Sequence, residues 1–140
     1  MAINLFAYGT FLVPNVMHTV CDAVFESVEA CAEGYARVQL KNKVYPAMLE
    51  DKDSMVDGQL YMNVDDRSVK RLDYFEGKEY IKKTIQVELP NRKKMDALAY
   101  IISPDSVSLL TKTPWNFAEF KAKHLSDYMK NVRQQMRDFR

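Results

Sequence analysis

The sequence has 140 residues, of which 47% are hydrophobic and 28% are charged, with four glycines and five prolines. This length and composition are typical of one globular domain and exclude collagen-like, low-complexity and disordered classes. The formal net charge is +1, with acidic and basic residues mixed, so we expect no nucleic-acid or membrane partner. We therefore predict a single domain over residues 1–140.

The first residues of the chain and its two cysteines predict the cellular compartment of the protein. Residues 1–6 lead directly into a strand pattern, without the basic and apolar regions of a signal peptide. No apolar run is long enough to span a bilayer. Cys21 and Cys31 form neither a CxxC pair nor a metal-ligand cluster, so we expect free thiols in a reducing compartment. These features predict a cytoplasmic protein.

The N-terminal segment has the pattern of a strand, a turn and a helix. Residues 3–8 are apolar and aromatic-rich, which predicts a buried strand that stops at Gly9. Glycine permits a sharp or positive-φ turn at this point, and Pro14 then opens a helix. Three valines recur at helical spacing on that helix: Val16, Val20 and Val24.

The middle of the chain predicts five more strands, at residues 28–40, 44–49, 55–62, 81–89 and 97–102. Pro46 places the second of these at a sheet edge or a bulge, and residues 51–54 are predicted to be a polar turn. The last of the strands is apolar throughout, which is typical of a central strand. Between the third and fourth, a helix begins at Asp65 or Asp66 and ends at Gly77.

The last third of the chain predicts a helix with a well-marked start. Asn116 is a good N-cap, and Glu119 three residues later completes a capping box. Trp115 can pack on Phe120 as a hydrophobic staple. An apolar stripe then continues at helical spacing as far as Phe139. We therefore expect one long C-terminal helix whose apolar face packs on the sheet.

Glu76 is the most informative acidic residue, because it lies in the last turn of a predicted helix. The negative end of the helix dipole disfavours a carboxylate there and raises its pKa. Apolar and aromatic neighbours raise it further by desolvation: Leu72, Phe75 and Tyr80. A carboxylate tuned in this way is suited to general acid/base catalysis. Local sequence alone, however, favours a solvated surface glutamate.

The turn formed by Tyr8, Gly9, Thr10 and Phe11 is the second candidate site. A strand that stops at a tight glycine turn leaves backbone N–H groups that can hold a carboxylate or an oxyanion. The alternative is an ordinary turn between a strand and a helix. The segment lacks the further glycines and the lysine of a phosphate-binding loop. Thr10 has no recognisable base partner, and the two histidines lack metal-ligand spacing.

Four motifs follow one another along most of the chain. They are LFAYGTF at residues 5–11, YPA at 45–47 with VDGQLY at 56–61, LDYFEGKEY at 72–80, and PWNFAEF at 114–120 followed by His124 and Leu125. This ordered set resembles the γ-glutamylcyclotransferase-like superfamily, especially its AIG2-like branch. The first motif is similar to the YGSL or YGTL loop of that superfamily. The third is similar to its LDxxEGxxY segment, which carries the catalytic glutamate.

The resemblance implies an α+β fold in which a mixed sheet closes into a small barrel with flanking helices. It also implies conversion of a γ-glutamyl amine or peptide into 5-oxoproline and a free amine, with Glu76 as general acid/base and no metal or organic cofactor. The substrate-binding residues expected from it are Tyr8, Gly9, Thr10, Phe11, Tyr80 and Tyr100. The resemblance leaves the leaving amine undefined.

Two other classes of function stay open from the sequence. The first is a non-catalytic binding or sensor protein that uses the same pocket. The second is an interaction protein that works through its basic and apolar C-terminal helix, although a solvated helix face explains those basic residues better. We expect a small γ-glutamyl substrate as the partner, and a monomer or weak homodimer.

Overall fold

The computed structural model describes residues 2–139, which form six strands and four α-helices. The strands are β1 (Ile3–Ala7), β2 (Ser27–Leu40), β3 (Pro46–Val64), β4 (Tyr80–Glu88), β5 (Lys94–Ile102) and β6 (Leu110–Pro114). The helices are α1 (Pro14–Cys21), α2 (Asp66–Glu76), α3 (Phe117–Lys123) and α4 (Leu125–Arg137). Short 3₁₀ turns occupy Thr10–Leu12, Gly77–Glu79 and Pro104–Leu109.

The strands form one mixed sheet that closes into a five-stranded barrel with flanking helices. The order is β3-β1-β5-β4-β2, and β2 pairs again with β3 to close the barrel, while β6 is added to the edge of β2. The β1–β5 pairing is parallel, and the other pairings are antiparallel. The predicted α+β fold, with its small barrel and C-terminal helix, is confirmed. The predicted central strand is β5, which lies between β1 and β4.

β1 is buried on both faces because its side chains alternate between two cores. Phe6 and the following Tyr8 pack with residues of β2 to β5 in the barrel, whereas Leu5 and Ala7 pack with residues of the helices. Gly58 of β3 allows the two strands to approach, since a Cβ at this position would lie 2.3 Å from the carbonyl oxygen of Ala7. The strand predicted at the N-terminus is therefore confirmed.

The prediction of a turn at residues 51–54 is wrong, because β3 runs through them. β2 and β3 pair on both sides of this point, and their register shifts between Glu33 and Tyr35. The extra polar residues bulge out of the pairing, and Asp51 accepts hydrogen bonds from the Asp53 amide and the Ser54 hydroxyl. The polar sequence thus marks an exposed irregularity of one long strand rather than a reversal of the chain.

α1 is shorter than the valine spacing predicts. Val16 and Val20 are fully buried, but Val24 is 80% exposed. The helix ends at Cys21 because Asp22 adopts a left-handed conformation with φ of 53°, and its amide donates to the carbonyl of His18. The prediction that Val24 continues the buried stripe is therefore wrong.

The start of the C-terminal helical region follows the prediction. The side chain of Asn116 accepts a hydrogen bond from the amide of Glu119 at 2.9 Å. The ring of Trp115 lies 5.5 Å from that of Phe120, and both residues are buried. The N-cap and the hydrophobic staple are therefore confirmed, but the predicted capping box is only half formed, because the Glu119 carboxylate lies 3.6 Å from the Lys123 ammonium and forms no hydrogen bond with the Asn116 amide among the described contacts.

The C-terminal region is divided into two helices where one continuous helix is expected. The division lies at His124, which has φ of −125° and separates α3 from α4. The break lets Phe120 of α3 and Val132 of α4 enter the same core between the helices and the sheet. α4 packs mainly on α1 and α3, so the expected direct packing on the sheet is only part of its environment.

None of the helices within residues 2–139 combines the length and the apolar character needed to cross a bilayer. Cys21 is buried and Cys31 is half-buried, and both thiols are free, as predicted. The cytoplasmic location, the single-domain boundary and the oligomeric state stay predictions.

Candidate functional site

A cavity of about 350 Å³ lies where the end of β1 meets the end of α2 and one face of α4. This volume is in the range of small-molecule sites. The structure places every site residue predicted from the sequence on its lining: Tyr8, Gly9, Thr10, Phe11, Glu76, Tyr80 and Tyr100. Residues from one turn, one helix end and two strands thus come together in one cavity.

Glu76 is placed in the cavity by the end of α2. The helix begins at the N-cap Asp65 and ends after Glu76, where Gly77 has φ of 67° and its amide donates to the carbonyl of Asp73. Glycine suits this positive φ, as predicted from the sequence. The Glu76 side chain is half-buried, and no side chain among residues 2–139 forms a hydrogen bond with its carboxyl group. The carboxyl group therefore faces the cavity without a side-chain hydrogen-bond partner in the described part of the chain.

The environment of Glu76 raises its pKa from 4.5 to about 8. Desolvation by the surrounding protein is the main cause, followed by the nearby negative charges of Glu79 and Asp73. The direction agrees with the sequence prediction, although that prediction gave first place to the helix dipole. A carboxyl group with this pKa exchanges a proton near neutral pH.

The turn after β1 is tight because Gly9 lies directly against the start of β3. A Cβ on Gly9 would lie 2.9 Å from Cγ of Pro46. Gly9 has φ of −126°, so close approach, and not a positive φ, requires glycine here. The amides of Leu12 and Val13 donate to the carbonyls of Gly9 and Thr10. The amides of the first residues of such a turn have no partner within it, and this applies to Thr10.

Contacts from three directions hold this turn in place. The hydroxyl of Tyr61 donates to the carbonyl of Phe11 at 2.7 Å. The Thr10 hydroxyl oxygen lies 3.1 Å from the hydroxyl oxygen of Tyr128. Arg37 donates from Nη1 to the carbonyl of Tyr8 at 2.8 Å. The turn therefore presents its backbone to the cavity from a fixed position.

The three predicted tyrosines use their hydroxyl groups to connect the cavity walls. Tyr8 donates to the carbonyl of Tyr100, and Tyr80 donates to the carbonyl of Pro46 at 2.7 Å. Tyr100 donates to Oδ1 of Asp73 at 2.7 Å. Burial is the main cause that raises the pKa of each of these hydroxyls above 10, so they stay protonated near neutral pH. Neutral tyrosine hydroxyl groups thus connect the walls of the cavity through hydrogen bonds.

The structure adds lining residues that the sequence did not predict as site residues. Glu79 lies in the cavity and accepts a hydrogen bond from the hydroxyl of Tyr45 at 2.9 Å. Both residues lie within the four motifs described for the sequence. Membership of these motifs is the sequence feature that could have indicated them as site residues. Further polar lining residues come from the turn before β3 and from α4: Asn42, Lys43, Tyr128, Asn131 and Gln135. The spacing of apolar residues predicts which face of a helix is buried, but it does not predict which residues at the border of that face line a cavity.

No group of three or more His, Cys, Asp or Glu side chains within residues 2–139 is arranged to hold a metal ion. In the described part of the chain, the charged residues that line the cavity are Lys43, Glu76 and Glu79. Two carboxyl groups and one ammonium group, together with turn amides and tyrosines, suit a small zwitterionic ligand.

Comparison with known proteins places this arrangement in a family. Residues 5–117 match the family described as gamma-glutamyl cyclotransferase, AIG2-like. AIG2-like protein C of Arabidopsis thaliana is 32% identical over 130 residues, which cover 91% of this chain and 74% of that protein. A solution structure of an Arabidopsis thaliana protein aligns with a TM-score of 0.71 and 28% identity, covering 96% of this chain and 91% of that one.

A solved structure named gamma-glutamyl cyclotransferase has the same fold, with a TM-score of 0.67. Its alignment covers 94% of this chain and 86% of that one at 14% identity, so it supports the fold alone. The family match covers most of the chain and includes the Gly9 turn and Glu76. The chain therefore belongs to the AIG2-like gamma-glutamyl cyclotransferase family.

Proposed function

We propose that this protein converts a γ-glutamyl amine or peptide into 5-oxoproline and a free amine. The observation that carries the proposal is the Glu76 carboxyl group, which faces the cavity, forms no hydrogen bond with another described side chain and has a pKa raised to about 8. Family membership supports cyclotransferase-type chemistry. The tyrosines and the Gly9 turn around the cavity supply the hydrogen-bonding groups that a γ-glutamyl substrate needs.

The reaction closes a ring within the substrate. The α-amine of the γ-glutamyl group attacks the γ-carbonyl carbon, so a new N–C bond forms and the C–N bond to the leaving amine breaks. The protein supplies no nucleophile. Its first contribution is to hold the folded conformer, because correctly oriented intramolecular attack reaches effective molarities of about 10⁵–10⁸ M.

Glu76 moves the proton that this reaction requires. An α-ammonium group cannot attack until it loses a proton, and the Glu76 carboxylate accepts it. The same carboxyl group then donates that proton to the departing nitrogen, and the ring nitrogen loses a second proton after the new bond forms, so that the released amine becomes an ammonium ion. A pKa near 8 suits both steps, because neither the carboxylate nor the carboxylic acid is strongly favoured near neutral pH.

The turn at Thr10 and Phe11 stabilises the negative charge of the substrate or of the tetrahedral intermediate. The backbone amides that have no partner within the turn bind the α-carboxylate or the developing oxyanion. Tyr61 holds the carbonyl of Phe11 within this turn, and Arg37 holds the carbonyl of Tyr8 before it. The amides are therefore positioned before the substrate arrives.

Detection of 5-oxoproline tests this function. Purified protein is incubated with γ-glutamyl dipeptides, γ-glutamyl-lysine, glutathione and a γ-glutamylated polyamine, in parallel with Glu76→Gln and the exposed control Glu33→Gln. We expect product from the wild type and from Glu33→Gln, and a loss of at least about 100-fold in kcat for folded Glu76→Gln. Substantial turnover by Glu76→Gln would remove Glu76 from this role. Tight binding without product would instead support a non-catalytic binding protein.

A further inference from the structure

Asp73 connects α2 with two neighbouring strands beside the cavity. Its Oδ1 accepts a hydrogen bond from the hydroxyl of Tyr100 on β5 at 2.7 Å, and its Oδ2 lies 3.0 Å from the ammonium nitrogen of Lys82 on β4. Lys82 and Tyr100 are directly opposite each other in the antiparallel pairing of β4 with β5. Their side chains therefore leave the sheet on the same face, and one carboxylate binds both of them.

Asp73 also lies one helical turn before Glu76. Side chains three residues apart are neighbours on one face of an α-helix. The backbone carbonyl of Asp73 accepts the hydrogen bond from the Gly77 amide at the end of α2. Asp73 thus supports the turn that carries Glu76 through its main chain, and it fastens that turn to the sheet through its side chain.

The two partners of Asp73 lie on opposite sides of the cavity wall. Tyr100 is buried and lines the cavity, whereas the side chain of Lys82 is 38% exposed and is not part of the described lining. A tyrosine hydroxyl has one hydrogen, and Tyr100 gives it to Asp73. Lone pairs of the Tyr100 oxygen are left for a ligand, so this hydroxyl meets a ligand as an acceptor.

Asp73 acts on Glu76 through its charge as well. That charge is one of the causes that raise the pKa of Glu76, after desolvation and the charge of Glu79. The ammonium group of Lys82 offsets part of the negative potential of Asp73. Lys43 is the other charged residue of the described lining. Five tyrosines around Glu76 stay neutral near pH 8, because burial raises the pKa of each above 10: Tyr8, Tyr45, Tyr80, Tyr100 and Tyr128.

We propose that Asp73 is a positioning residue, which fixes the Tyr100 hydroxyl relative to Glu76 and makes the catalytic carboxyl group sensitive to the charge of Lys82 on the protein surface. This inference rests on the proposed function. Tyr100, held by Asp73, accepts a hydrogen bond from the α-amine of the substrate while Glu76 removes a proton from that amine. Asp73 itself touches neither the substrate nor the reacting atoms.

Two substitutions with opposite effects on charge test the inference. Asp73→Asn removes the negative charge and keeps an oxygen for Tyr100, so the midpoint of the Glu76 titration should fall by about 0.5 pH units. Lys82→Met removes the offsetting positive charge, so the midpoint should rise by about 0.5 pH units. Carbon-13 NMR of the glutamate-labelled free protein measures both midpoints, and the Glu76 signal is identified by its loss in Glu76→Gln. The pH profile of kcat/KM should move in the same two directions.

Lys83→Met is the matched control for Lys82→Met. Lys83 is the next residue of β4, its side chain is 37% exposed, and it forms an ion pair with Glu50. Successive side chains of a strand point to opposite faces, so Lys83 leaves the sheet away from Asp73. The control removes the same charge and also breaks an ion pair, but it should leave the Glu76 midpoint unchanged.

The hydrogen bond to Tyr100 is tested separately from the charge. Asp73→Ala removes the acceptor and should raise KM about tenfold for the best substrate of the 5-oxoproline assay. Asp73→Asn should restore most of this loss, because its amide oxygen can accept the same hydrogen bond. Urea unfolding establishes that each variant is folded, and Lys82→Met tests the inference on an exposed residue if Asp73→Ala is not.

The possible failures are distinguishable. Equal Glu76 midpoints in the wild type, Asp73→Asn and Lys82→Met, with 5-oxoproline still formed, would overturn this inference and leave the proposed reaction in place. An equal rise of the midpoint in Lys82→Met and Lys83→Met would also overturn it, because net charge alone would then be the cause. An equal rise of KM in Asp73→Ala and Asp73→Asn would remove the role of the Tyr100 contact. Absence of 5-oxoproline from the wild type, with the protein folded, would contradict the proposed function and the part of Asp73 in it.

Discussion

The barrel side and the α4 side of the cavity hold their residues by different means. On the barrel side, Tyr80 and Tyr100 each donate a directional hydrogen bond to a neighbouring oxygen. On the α4 side, Tyr128 lies edge-on to the rings of Phe75 and Phe120, and its hydroxyl meets only Thr10 among the described residues. Ring packing tolerates small shifts better than hydrogen bonds do. The barrel side therefore suits fixed chemistry, and the α4 side suits variation in substrate.

The largest effect should come from filling the space at the Gly9 turn. Gly9→Val places a Cβ 2.9 Å from the Pro46 ring, so the turn or β3 must move. Overpacking of this kind should lower the free energy of unfolding by about 3 kcal/mol and remove activity. Urea unfolding and the 5-oxoproline assay measure the two effects. A stable and fully active Gly9→Val protein would contradict the geometry given for this turn.

Removing the Arg37 side chain tests a second support of the barrel side. Its guanidinium group donates to the Tyr8 carbonyl and lies 5.3 Å from the centre of the Trp115 ring. Arg37→Met should lower the free energy of unfolding by about 2 kcal/mol, since a hydrogen bond from a charged donor is lost. Arg133→Met is the control, because Arg133 is exposed on α4. Equal stability of the two variants would show that Arg37 does not hold the turn.

Neutralising Glu76 should stabilise the protein in alkaline solution. Its folded-state pKa of about 8 lies above the ordinary 4.5, so folding favours the protonated form. The wild type therefore loses stability as the pH rises from 4.5 through about 8, and Glu76→Gln does not. After allowance for the solvent that reaches this half-buried group, the variant should be more stable by about 1–2 kcal/mol at pH 9. A pH-independent difference in urea unfolding would contradict the raised pKa.

The smallest effect should come from the α4 side. Tyr128→Phe removes the contact between the Tyr128 hydroxyl and Thr10 but keeps the ring in place. The free energy of unfolding should fall by about 1 kcal/mol. Activity should change by less than about tenfold, because ring packing still holds the wall. Loss of activity as large as that of Gly9→Val would remove the distinction between the two sides of the cavity.

The sequence predicted the barrel side well because its signals are local. Alternating and apolar runs located the strands, and the Gly77 stop placed Glu76 at a helix end. Two features could not be found in this way. The partnership of Tyr45 with Glu79 joins residues far apart in the chain. The break at His124 is the second, because the capping signals of Asn116 and Glu119 mark where α3 begins and not where it ends.

Local sequence signals also failed to predict the irregularity within β3. The polar residues at 51–54 have the composition of a turn, but pairing with β2 on both sides keeps them in one strand. Position 9 shows a similar effect. Glycine is required there because a side chain would come too close to Pro46, and not because the φ of Gly9 is positive. In both cases a distant segment determines the local conformation.

The pH dependence of kcat/KM tests the central claim, that Glu76 is the general base and that its surroundings set its pKa. We predict that the wild-type rate rises with pH through about 8. Glu79→Gln removes a negative charge that raises the pKa of Glu76, so its profile should move to lower pH. Ionisation of the substrate amine cannot produce this shift, because the substrate is the same. A profile that stays in place in Glu79→Gln would contradict the account.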